Sequence, residues 1–278
     1  MKKRNSIYLI NSLLVLTIFL IVMLHNNIFP FGKRIVTISD GTFQFVPLVY
    51  DYLTKIKLGI LNTYSFNNGL GNPYLFNLLY YISSPLNYLL IIFKNPFIIY
   101  YLSIIIKLFL TSIFMTKYVK SKTNNNLVII IATLSYCFSS WFYTYYYYST
   151  FLDVFMILPL FQYGLEKVLK KEFSYSYIFS LTYMFISNFY LCFSICIYTI
   201  IYFILYNFYH KNNFKEIKSS FYNLCHCTIW FILIAFFWFY ALLDSYNRMG
   251  IAFENVNKIS NYYIYFRCYY TFLTTSCI

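Results

Sequence analysis

The sequence has little charge and less acid. Only 10% of its 278 residues are Asp, Glu, Lys or Arg, against about 25% in a soluble globular protein. Acidic residues number eight and histidines three, while 60% of the chain is hydrophobic. So thin a charged surface cannot hold such a chain in water, which excludes a soluble enzyme or binding domain. The shortage of acid and histidine also leaves few metal ligands. Cys225, His226 and Cys227 are the one close group, but adjacent helical positions point in different directions. No metal site is assigned, and the seven cysteines, mostly inside apolar runs, are read as buried free thiols. No cofactor is implied.

Proline and glycine are also scarce, and they are gathered. Residues 25–97 hold five of the six prolines and five of the seven glycines, so this is the least helix-like part of the chain. Elsewhere apolar runs recur at about 20 residues, the length that crosses a hydrocarbon core of roughly 30 Å. The first, Ile7 to Leu24 behind Lys2, Lys3 and Arg4, has no small-residue cleavage site after it and reads as a retained helix. Further spans are expected at Ile98–Met115, Leu127–Tyr145, Phe151–Leu165 with a kink at Pro159, and Phe221–Leu242. The stretch Ser174 to Phe208 would be roughly 52 Å as one helix, too long for a single crossing. It is therefore split into two spans around Ser187–Tyr190.

The net charge of +13 could suggest nucleic acid, but the positions of the cations argue otherwise. Twelve of the 21 lie in four clusters: Lys2–Arg4; Lys117, Lys120 and Lys122; Lys167, Lys170 and Lys171; Lys211, Lys215 and Lys218. An even number of crossings between clusters puts all four on one face, which the positive-inside rule makes cytoplasmic, with the N-terminus. The partner is then the membrane lipid, and no nucleic acid is expected. To keep this sidedness, Leu75–Phe93 with its Ser83-Ser84-Pro85 kink must not cross. Within the same outer loop, Thr42–Ile60 has the rhythm of a helix lying on the membrane surface, and Ser65–Pro73 reads as a loop. The expected fold is an all-α polytopic membrane protein of about seven transmembrane helices, with a long first extracellular loop bearing surface helices.

On this topology every aspartate lies on the outer side. Asp40, between Ser39 and Gly41, suits an Asx turn or the N-cap of the surface helix, and also suits a carboxylate at the membrane rim. Asp51 is about 16 Å further along a helix, beyond the roughly 6.5 to 9.5 Å at which two carboxylates cooperate in glycoside chemistry. Asp153, in the outer end of the fourth span, should face a partner or a watery cavity. Lys107, mid-span, would bind either a lipid-linked phosphate or an aspartate. Arg248, four residues after Asp244, is a phosphate ligand or a helix-end pair. Intramembrane Lys107 and Asp153 also fit a transporter or flippase of a lipid-linked or small polar substrate, although the paired broken helices of inverted repeats are not seen.

The run "NNIFPFGKRIVTISDGTFQFVPLVYDYL" followed by "YSFNNGLGNPYLFNLLYYISSPLNYLLIIF" resembles the opening of the YfhO family of bacterial membrane proteins, and "FLDVFMILPL", "GLEKVL" and "SNFYLCFSICIYTIIYFIL" resemble its later helices. The resemblance covers roughly Tyr8 to Gly250. It implies a GT-C type glycosyltransferase fold, a polyprenyl-phosphate-linked sugar as donor, and an extracellular polymer such as lipoteichoic or wall teichoic acid as acceptor. Under it Asp40 matches the catalytic base, Gln44 stands beside it, and Gly69, Gly71 and Asn72 match the loop motif. Family members are longer, so residues 1–250 are read as a transmembrane GT-C-like module, with outer loop 25–97 carrying the site, and residues 251–278 as an atypical tail of an N-terminal portion.

Overall fold

A computed structural model describes residues 2–35, 39–59, 64–65, 72–73, 82–93, 95–211 and 213–274. Contacts divide the chain into two units, Met1–Leu61 with Asn77–Phe236, and Asn62–Phe76 with Phe237–Ile278. Among the described residues the first unit is entirely helical apart from its connections. Its helices are α1 (Lys2–His25), α2 (Val46–Leu58, entered through a π-helical turn at Gly41–Phe45) and the short α3 (Pro85–Leu90). After these come α4 (Pro96–Lys120), α5 (Asn126–Cys137), α6 (Ser140–Tyr145), α7 (Ser149–Leu169), α8 (Tyr175–Ser187) and α9 (Phe189–Tyr209). The last helix, α10, runs Phe214–Thr274. In the second unit β1 (Tyr64–Ser65) pairs antiparallel with β2 (Asn72–Pro73), Ser65 opposite Asn72.

The helix boundaries follow from local chemistry. Pro96 opens α4 and the Asn95 side chain accepts from the Phe97 and Ile98 amides at 2.9 and 3.4 Å, taking up two of the free donors of the first turn. Asn188 breaks the long run from 174 to 208, as expected of that neighbourhood. Its backbone is extended, its carbonyl oxygen accepts from the Leu191 amide at 2.9 Å, and its amide donates to Thr150 Oγ1 at 3.3 Å. The surface helix ends at Gly59, whose φ of 69° is the left-handed C-cap conformation.

Among the described residues, five of the expected seven spans correspond to stretches long and apolar enough to cross a membrane: Ser6–His25, Pro96–Lys120, Asn126–Tyr145, Phe189–Tyr209 and Phe214–Asp244. The two others fall short for different reasons. α7 has the length, but it carries Asp153 and Glu166, and sixteen of its 21 residues are buried, so protein rather than lipid surrounds it. α8 has 13 residues, about 20 Å of rise. At their contact Gly164 lets the backbones touch: a Cβ there would lie 2.8 Å from Tyr177 Cα and 2.9 Å from the Ser176 carbonyl carbon. Of the segment Leu75–Phe93, residues 75–81 lie outside the described residues; the rest is a six-residue helix and a 3₁₀ turn, with Ile82, Ser83, Ser84 and Asn87 buried in the bundle.

Aromatic and small polar groups fill the interior. Phe155 of α7 lies between the rings of Tyr136 and Trp141, with centroids 4.5 and 5.0 Å away and nearly parallel planes. Between α1, α4 and α5, Asn11 donates to Thr116 and Thr133 at 2.8 and 3.3 Å, and Ser112 donates to Ser12 at 2.9 Å, the polar contacts typical of helices packed within lipid. The basic clusters converge on one end of the unit. Lys120 lies 4.7 Å from the Tyr8 ring, Lys117 and Lys167 lie 4.9 and 5.1 Å from the Tyr163 ring, and Lys122 pairs with Glu166.

Candidate active site

Asp40 sits at the opposite end. From Tyr148 beside it to Glu166 at the basic end is eighteen residues of α7 and its N-cap, about 27 Å at 1.5 Å per residue. The geometry that holds Asp40 begins one residue earlier, where Ser39 adopts φ 49° and its carbonyl accepts from the Thr42 and Phe43 amides at 3.0 Å. Asp40 itself is already helical, and its carboxylate makes no capping bond to the backbone. The N-cap role expected for it is therefore replaced by side-chain contacts. Gln44 Nε2 donates to Asp40 Oδ1 at 3.1 Å, and the Tyr148 phenol lies near the same carboxylate. The nearness of Asp40 and burial raise the Tyr148 phenol above its ordinary value.

Gly41 is needed here for space. A Cβ would stand 3.2 Å from both the Tyr100 hydroxyl and the Tyr147 carbonyl, so the turn could not seat against α4 and the loop before α7 without a shift. Around the partly buried Asp40 the tyrosine run at the end of the third apolar segment forms an aromatic floor. Tyr147 and Tyr148 have centroids 4.4 Å apart, Tyr148 and Phe151 5.0 Å, and Tyr100 packs on Phe45 at 5.5 Å. Two buried polar atoms of this group, Gln44 Oε1 and the Tyr100 hydroxyl, have no hydrogen-bond partner among the described residues. An unpaired buried acceptor and an unpaired buried hydroxyl beside a carboxylate are what a bound hydroxylated molecule would satisfy.

A second cluster is closed. Lys107, 1% exposed, donates to Ser149 O at 2.7 Å, Ser149 Oγ at 2.8 Å and Asp153 Oδ2 at 2.9 Å. An ammonium has three donors, so none is left for a phosphate. Asp153 in turn accepts from Ser84 at 2.9 Å and Tyr183 at 2.8 Å. Of the two arrangements open to Lys107, the internal ion pair is the one present. Asp51 pairs with Lys55 at 3.3 Å on its own helix.

The structure thus brings Asp40 and Gln44 together, and Lys107 and Asp153 together. Asn72 lies in the strand pair of the second unit. Gly69 and Gly71 lie outside the described residues, as does the side chain of Arg248. Tyr148 and Tyr100 were not anticipated as neighbours of Asp40. The run Tyr145–Tyr148 hinted at an aromatic rim, but nothing in it marks which phenol reaches the carboxylate. No group of three or more His, Cys, Asp or Glu suited to a metal occurs among the described residues. His226 instead accepts from Trp230 Nε1 at 3.3 Å.

Neither a curated protein nor a solved structure matches this chain. A family model described as bacterial membrane protein YfhO matches residues 12–275, extending past Gly250 through most of the tail. The chain belongs to the YfhO family of bacterial membrane proteins.

Proposed function

We propose that the first unit is a GT-C type module that transfers a sugar from a polyprenyl-phosphate donor to an extracellular polymer of the teichoic acid kind, with Asp40 as general base. One observation carries this reading: the Asp40 carboxylate, held by Gln44, lies beside two buried polar atoms that have no partner among the described residues. In the reaction an acceptor hydroxyl occupies that gap and gives its proton to Asp40. Its oxygen attacks the anomeric carbon, and the bond to the lipid phosphate breaks with its electron pair leaving on the phosphate. General-base assistance of this kind contributes about 10² to 10⁴-fold. The surrounding phenol rings offer faces for the sugar. In this reading the N-terminus is cytoplasmic.

A transporter or flippase reading is weaker, because the intramembrane charges that suggested it are bonded to one another and to Ser149, Ser84 and Tyr183. The deciding experiment is sugar transfer in membranes carrying the wild type or Asp40→Asn. Loss of about 10²-fold or more supports the base. Unchanged transfer removes it.

A further inference from the structure

At the basic end of the first unit, far from Asp40, a cavity of about 380 Å³ is lined by Lys122, Glu166, Lys170, Tyr202, Tyr206 and His210. A second hollow, of about 530 Å³, adjoins it, lined by Met115, Leu158, Pro159, Ile195 and Tyr198. Tyr202 lines both, so the two form one groove between α9 and the pair α4 and α7. Along α9 one wall is a ladder at four-residue spacing: Tyr198, Tyr202 and Tyr206 with centroids 5.6 and 6.4 Å apart, then His210 4.1 Å from Tyr206. From Tyr198 to His210 this is about 18 Å, close to the depth of one leaflet, half of a hydrocarbon core of roughly 30 Å.

The polarity of the groove changes along its length. The mouth holds Lys122 and Lys170 against one carboxylate, Glu166, which Lys122 and the Tyr118 and Tyr202 hydroxyls already bond. That leaves the mouth with a surplus cation among lysines 117, 120, 171 and 211, all at the same end, while Glu172 is paired with Lys167 at 3.7 Å and Glu216 accepts from the Asn213 amide at 2.8 Å. Further in, the lining is mostly apolar, with Gln162, Ser194 and tyrosine hydroxyls as its polar groups, and Tyr198 donates to Gln162 at 2.9 Å. Tyr198 is 38% exposed, so the hollow opens to the side of the bundle.

We propose that this groove holds one anionic phospholipid, its phosphate at Lys122 and Lys170 and one acyl chain in the apolar hollow along the tyrosine ladder. A soluble anion would use only the mouth, and a neutral lipid only the hollow. A basic mouth continued by an apolar groove fits a molecule with both parts. The site is separate from any donor site at Asp40, because the two lie at opposite ends of α7, and it does not depend on a transferase activity.

The test is retention of lipid by the purified full chain, read by native mass spectrometry after exposure to phosphatidylglycerol, phosphatidylcholine or glycerol 3-phosphate. The wild type should retain one phosphatidylglycerol in preference to phosphatidylcholine. Lys170→Gln, a change at an exposed residue, should weaken phosphatidylglycerol about fivefold and leave phosphatidylcholine unaltered. Ser194→Phe, which fills the hollow, should remove both lipids. Equal retention of the two lipids by the wild type would overturn the proposal. So would an unchanged Lys170→Gln, or competition by glycerol 3-phosphate as effective as by the intact lipid.

Discussion

Removing either charge of the Lys107–Asp153 pair should destabilise the bundle more than removing both. With Lys107→Met, Asp153 stays buried with only the Ser84 and Tyr183 hydroxyls for support. With Asp153→Leu, the ammonium stays buried on Ser149 alone. Each change leaves one uncompensated buried charge, a cost of about 3 to 5 kcal/mol. In the double variant no charge remains, and the losses reduce to the Ser84 and Tyr183 hydroxyls and the Ser149 carbonyl, roughly 1 kcal/mol each, or about 3 kcal/mol together. The singles then sum to about 6 to 10 kcal/mol, and the coupling is about 3 to 7 kcal/mol. Melting in detergent with a thiol-reactive dye reads this directly, because Cys137, Cys192 and Cys227 are buried until the helices separate. The double variant should melt no lower than the worse single variant. Effects that add to within about 0.5 kcal/mol would refute the pairing.

Tyr148→Phe should lower any transfer activity roughly tenfold through loss of the phenol's polar interaction with the Asp40 carboxylate, without unfolding the chain. Since the folded phenol lies above its ordinary value of about 10, this interaction contributes fully below that value and is lost only as pH rises through the higher one. The melting difference between wild type and Tyr148→Phe should therefore stay flat from about pH 6 to about pH 9, and a difference that fades in this window would contradict the assignment. Gly164→Leu should cost at least about 1 to 3 kcal/mol, read as a lower melting midpoint, because the added atoms meet the backbone of α8 rather than a movable side chain. Phe43, 80% exposed in the turn after Asp40, should react as Phe43→Cys with an impermeant thiol reagent in intact cells. Labelling only after lysis would place the Asp40 end inside and end the transferase proposal.

The membrane character, the clustering of cations at one end and the break near Asn188 were legible in the sequence. Each depends on local composition or on a single capping residue, and neither needs a fold to be expressed. That α7 is the buried centre of the bundle was not legible, because shielding is a property of its neighbours. Lys107 and Asp153 were both noticed, 46 residues apart, but their pairing depended on the packing of α7 against α4.

The sequence by itself determined that this is a chain for lipid, with basic residues at one end and Asp40 after the first helix. Only the tertiary structure decided which tyrosine meets Asp40 and which lysine becomes unavailable. The physical reason is that hydropathy and charge act residue by residue, whereas a hydrogen bond within about 3 Å requires that two segments distant in sequence be fixed together.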